Sequence, residues 1–194
     1  MQTKALTLII VFTALTVALS IYGPKIPFPL SPFLYYQLWE IPIVVAFLMI
    51  GPKTGIAISA INTLVLFAVF PGALPTGPLY NFIAVLSMFL GIYLPYRLAT
   101  RGCKGENLGD YLRRHVALLT VSATILGIIL RVAVMTVVTL FTLQQPYPIG
   151  FSMPEIDVLV FLPVGAVFNA TVVLYTIPIA IAITIAILSR LKIK

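Results

Sequence analysis

Apolar residues run almost unbroken through six segments, 5–22, 39–50, 54–70, 79–96, 116–141 and 158–188, with polar and turn-forming residues confined between them. A bilayer core takes about 20 apolar helical residues, so each segment reads as a membrane helix, the second being short. Prolines and glycines punctuate the pattern. Pro24, Pro27, Pro29 and Pro32 break the chain after the first helix, and Gly51-Pro52-Lys53 turns it after the second. Pro71-Gly72 ends the third helix, and Gln145-Pro146-Tyr147-Pro148 closes the fifth. Pro163 and Pro178 interrupt the long last segment, where a kink or a half-buried start is expected. The expectation is an all-α integral membrane protein, residues 1–194 forming one transmembrane domain of six helices.

Composition supports this. The 194 residues are 61% hydrophobic and 9% charged, with a mean hydropathy of +1.13. A soluble domain carries about 25% charged residues. Lipid must therefore solvate much of the surface. Lys4, the apolar run behind it and Ala18-Leu19-Ser20 also have the form of a cleaved leader. The segment is nevertheless expected to remain as the first membrane helix.

Charge then orients the bundle. Lys4, Lys53, Arg97, Arg101, Lys104, Arg113, Arg114, Arg190, Lys192 and Lys194 fall on one side, and Lys25 alone on the other. Basic loops stay in the cytoplasm. Both termini are expected there, with loops 23–38, 71–78 and 143–157 outside. The net charge of +7 is a topology signal and calls for no nucleic acid.

Candidate chemistry is sparse. Cys103 is the only cysteine, which excludes an internal disulfide or a cysteine metal cage. His115, beside Arg113 and Arg114, reads as a membrane-surface residue. No phosphate-binding loop, H-E-x-x-H or G-x-S-x-G occurs. Aromatic residues crowd the outer loops, Tyr35, Tyr36 and Trp39 among them, whereas Tyr93, Tyr96 and Tyr111 alone lie near the inner ends. A membrane belt would mark both faces, so the asymmetry favours an outward cavity able to stack a flat ligand.

Polar residues at depth need partners. Arg131 lies in the middle of the fifth helix, and Asn62, at similar depth in the third, is its expected partner along with backbone carbonyls. Arg131 reads as a structural tie or as a ligand contact. Asn81, Thr139 and Asn169 can converge on one outward pocket, or each can form an ordinary interhelical bond. Glu40, at the start of the second helix, is explained by the helix dipole. Ala14 and Ala18, one turn apart, make a small-residue face suited to internal packing or to a partner subunit.

With these residues in order, the chain resembles the substrate-binding S component of an energy-coupling factor (ECF) transporter, the riboflavin type being most similar. The resemblance rests on Ala14-xxx-Ala18, on the proline-rich run Ile26 to Pro42 ending Glu40-Ile41-Pro42, and on Gly51-Pro52-x-x-Gly55. Thr76-Gly77-Pro78-Leu79-Tyr80-Asn81 and Arg131-Val-Ala-Val-Met-Thr136 add to it, so that most of the chain is covered in order. Thr139 stands where riboflavin members often have Asn, and Asn169 lacks the Lys that often follows it. The resemblance implies a multi-pass cell-membrane protein that is not an enzyme and has no cofactor. It implies capture of riboflavin, or of another vitamin such as thiamine or pantothenate, from outside in a pocket under loop 23–38. Tyr35, Tyr36, Trp39, Asn81, Thr139 and Asn169 are the expected pocket residues. Ala14 and Ala18 would dock on a coupling transmembrane protein that works with two ATPases, and the S component would tip in the membrane to release ligand inward. Two other classes fit the residues less well. A lipid-head-group enzyme needs clustered acids or His at the inner face, where only Glu106 and Asp110 occur. A stand-alone transporter needs repeated halves or a charged path, which Arg131 alone does not supply.

Overall fold

The structure is a computed structural model and describes residues 2–69, 74–102 and 108–191. Phe70, Pro71, Gly72, Cys103, Lys104, Glu106, Lys192 and Lys194, named above, lie outside the described residues, as does the side chain of Lys4. The described elements are seven helices and a two-stranded hairpin. In chain order they are α1 (Gln2–Tyr22), β1 (Ile26–Phe28), β2 (Ser31–Tyr36), α2 (Glu40–Met49) and α3 (Pro52–Val69). Then follow α4 (Gly77–Thr100), α5 (Leu108–Arg114), α6 (Val116–Thr142) and α7 (Glu155–Leu191). This is an all-α membrane protein. Four helices, α3, α4, α6 and α7, are long and apolar enough to cross a bilayer.

The centre of the bundle is α2. Its 10 residues rise about 15 Å, half of the roughly 30 Å hydrocarbon core. Every residue from Glu40 to Leu48 is buried, so no face of this helix meets lipid or water. An apolar helix enclosed on all sides needs no amphipathic stripe. Gly51, at φ +135, turns the chain directly into α3, a backbone conformation that costs glycine little.

Close helix approach depends on small residues. A Cβ placed on Gly91 of α4 would sit 2.5 Å from the backbone N and Cα of Gly127 in α6. Gly127 in turn faces Ile177 and Val173 of α7. The two glycines thus let α4 and α6 pack backbone to backbone and let side chains of α7 close on α6, where dispersion forces rather than hydrophobic exclusion hold helices together. Phe47 of α2 stacks on Phe89 of α4 with ring centroids 4.3 Å apart, and both rings pack over Gly55 of α3. The Tyr96 hydroxyl donates to the Leu48 carbonyl at 2.6 Å, capping the end of α2.

Two elements depart from the six-helix expectation. The proline-rich segment forms the antiparallel hairpin β1–β2, pairing Ile26 with Tyr36 and Pro27 with Tyr35, with an irregularity between Pro27 and Phe28. Proline is tolerated in such a ribbon because each strand has a free edge. The basic loop contains the two-turn helix α5, whose Gly109 lies against the backbone of Leu188 and Ser189 of α7. The last helix spans 37 residues with Pro163 and Pro178 inside it.

Gly91→Ala would force a methyl group into backbone that cannot yield. The expected cost is about 1–3 kcal/mol, read as a lower Tm of the detergent-purified protein. An unchanged Tm would show that α4 and α6 are not in backbone contact at this point.

Candidate functional site

Glu40 opens α2 inside the bundle, and Arg131 reaches it from the middle of α6. Arg131 Nη2 donates to Glu40 Oε1 at 2.9 Å, and Nη1 donates to Glu40 Oε2, giving a two-pronged ion pair. The two side chains are 4% and 6% exposed. Arg131 Nε donates to Asn169 Oδ1 at 3.0 Å, and Nη1 also approaches Met88 Sδ at 3.8 Å. Asn169 Nδ2 donates to the Gly165 carbonyl at 2.9 Å, which holds the amide with its oxygen towards the guanidinium. The cluster joins α2, α4, α6 and α7.

This corrects the expected pairing of Arg131 with Asn62. Asn62 is buried but belongs to a different tie, accepting from Ser20 Oγ at 3.0 Å and so linking α3 to α1. Glu40 likewise does more than complement a helix dipole. Because α2 is short and enclosed, its first turn lies inside the bundle, within reach of Arg131.

Above the ion pair lies a cavity of about 150 Å³. Its floor is Glu40 and Arg131, with Phe168, Val172 and Tyr175 of α7 on one wall. Phe33, Leu34 and Tyr35 of β2 cover it, followed by Gln37 and Trp39, and Asn81 of α4 stands at the rim. The hairpin is fastened to α7 by aromatic contacts. Tyr36 stacks on Phe168 at 5.4 Å, meets Phe28 edge-on at 5.5 Å and shares a hydrogen bond with Thr171 Oγ1 at 2.9 Å. The Tyr175 hydroxyl donates to the Gln37 carbonyl at 2.7 Å. A second loop roofs the same end of the bundle. Tyr80 donates to the Ile149 carbonyl at 2.6 Å and Thr76 to that of Pro148 at 2.9 Å, while Phe33 of the hairpin meets Phe151 at 5.9 Å.

Of the residues expected in a pocket, Tyr35, Trp39 and Asn81 line the cavity. Tyr36 anchors the hairpin from outside it, and Asn169 lies beneath, holding Arg131. Thr139 is half-buried in α6 and does not line the cavity. Sequence reasoning missed Glu40, Gln37, Phe168 and Tyr175. A signal for Glu40 was present: the six apolar segments contain one acid and one base between them, Glu40 and Arg131. Ala14 and Ala18 are exposed on α1, beside Val11 at 55% and Leu15 at 46%. Asp110 is exposed on α5, and among the described residues no group of three or more His, Cys, Asp or Glu comes together.

No family model matches the chain, and no curated protein matches it in sequence. The fold does have a counterpart. A solved structure described as the S component of a bacterial ECF transporter superposes with a TM-score of 0.69 and 21% identity, over 98% of this chain and 96% of that one. The chain is a multi-pass membrane protein with the fold of an ECF S component.

Removing one member of a buried ion pair strands the other charge. Glu40→Ala is expected to cost about 3–5 kcal/mol, whereas replacing both members, as Glu40→Leu with Arg131→Met, should recover most of it. Chemical denaturation of the purified variants measures both. Equal losses in the single and double variants would deny the pairing.

Proposed function

We propose that this protein is the substrate-binding S component of an ECF vitamin transporter, capturing riboflavin from outside the cell. The observation that carries the reading is the aromatic-walled cavity under the β1–β2 hairpin, in a chain that shares the S-component fold over nearly its full length. The orientation follows from charge. Lys53, Arg97, Arg101, Arg113, Arg114 and Arg190 lie at the end opposite the hairpin, which holds Lys25 alone. Positive-inside placement then turns the cavity outward.

Phe33, Tyr35, Trp39, Phe168 and Tyr175 supply ring faces for a flat heteroaromatic, which favours riboflavin over pantothenate. Asn81 and Gln37 supply amide donors and acceptors, and Asn169 acts through Arg131. The cavity of about 150 Å³ is smaller than the roughly 300 Å³ at which ligand sites begin. Admission of a vitamin therefore requires the hairpin to swing away from α7, breaking the Tyr36 and Tyr175 contacts. The chain carries no energy source in this reading. A coupling transmembrane protein docks on the exposed Ala14 and Ala18 face, and two ATPases drive release inward.

Two measurements test this. The purified protein should carry or bind riboflavin, seen as a flavin absorbance band and as fluorescence quenching on titration. Protein that ignores riboflavin but binds thiamine or pantothenate would change the substrate, and protein that binds no vitamin would remove the function. Ala14→Trp should abolish uptake in cells supplying the ATPase module while leaving ligand affinity intact. Uptake that survives this substitution would deny the docking face.

A further inference from the structure

The charge balance of the cavity deepens that reading, and rests on it. Of the residues lining the cavity, only Glu40 and Arg131 are charged. They are committed to each other through two hydrogen bonds, and both are buried. The floor is therefore polar but carries no net charge. A ligand bringing its own charge to this depth would have no free counter-charge, in a medium where an unpaired charge is heavily penalised.

The valences left over indicate what the floor can recognise. A guanidinium has five N–H groups. Here Nε serves Asn169, Nη1 serves Glu40 and approaches Met88, and Nη2 serves Glu40. One N–H of Nη2 is left, on the guanidinium edge that also carries Nε, and the carboxylate oxygens each accept one bond from Arg131 and have a second lone pair. The ion pair thus keeps donor and acceptor valences that its own bonds do not use. The side-chain amides of Gln37 and Asn81 repeat that polarity, and neither has a hydrogen-bond partner among the described residues.

We infer that the site selects a ligand whose buried end is uncharged and presents an acceptor next to a donor, as in a lactam, imide, carboxamide or pair of neighbouring hydroxyls. Cationic and anionic ligands are refused because the only two charges in the cavity cancel.

Equilibrium binding to the intact protein in nanodiscs tests this with two sets of probes at neutral pH. Riboflavin, pyridoxine and nicotinamide carry no net charge; thiamine is a cation, and pantothenate and biotin are anions. At least one neutral probe should bind, and every charged probe should bind at least tenfold more weakly than that one. A charged probe that binds tightest would overturn the inference while leaving vitamin capture standing. Failure of all six would overturn the capture reading and this inference with it. Binding of pyridoxine or nicotinamide instead of riboflavin would support the inference and reject only the flavin.

A variant supplies an independent check without touching the ion pair. Gln37→Glu adds one negative charge to the lining and should shift the ratio of thiamine to neutral-probe affinity by roughly tenfold or more in favour of thiamine. An unchanged ratio in a folded variant would show that lining charge does not set ligand charge.

Discussion

A carboxylate and a guanidinium enclosed among apolar helices constrain everything around them. Each would be prohibitively costly alone, so Glu40 and Arg131 must meet, and meeting requires α2 and α6 to hold one relative height. Asn169 extends the constraint to α7 through the Arg131 Nε bond, and its own amide is held by the Gly165 carbonyl. Apolar packing alone is non-directional and would tolerate sliding of one helix on another. The ion pair fixes register where dispersion cannot.

That register sets where the cavity lies. Because α2 covers about half the depth of a bilayer, its first turn ends inside the bundle and leaves a space above it. The hairpin closes this space from the side of α7, through Tyr36, Phe28 and the Gln37 carbonyl. Below, Phe47, Phe89 and Gly55 pack as an apolar layer, so the buried ion pair and the cavity both lie in the upper half. Contacts made by Gly91 and Gly127 bring α4, α6 and α7 close enough for side chains from all three to meet at one floor. A wider crossing would move Met88 and Asn169 away from Arg131.

Much of the fold is written plainly in the chain, since membrane helices announce themselves by length and hydropathy. What lay hidden has particular causes. The prolines of residues 24–32 signal a break in a helix, but they are equally at home on the free edges of an isolated ribbon, whose pairing depends on residues farther along the chain. Helix α5 is only two turns long, and its packing rests on Gly109 meeting α7, a contact far away in sequence. Asn62 and Arg131 are matched in depth but not in direction, because the angular position of a side chain depends on how each helix is rotated in the bundle. The same ignorance of rotation placed Thr139 in a pocket it does not line. Counting charges was more informative than judging depth: with one acid and one base in all the apolar segments, the pairing of Glu40 with Arg131 was forced.

The 21% identity to a structure of the same fold becomes intelligible in these terms. Lipid accepts almost any apolar side chain, so the outward faces of the helices are weakly constrained. Strong constraints fall on a few positions: glycines where backbones touch, the charges that must match, and the rings that fasten the hairpin. Part of the lining is outside these positions: Leu34, Tyr35 and Asn81 face the cavity and fasten no helix. Those residues can change without disturbing register, so one bundle geometry is compatible with different cavity linings. The floor has less freedom, since changing either charge alone would strand the other inside the bundle. Under the proposed function, the charge of the site is tied to the packing of the bundle, whereas its shape is left to the hairpin.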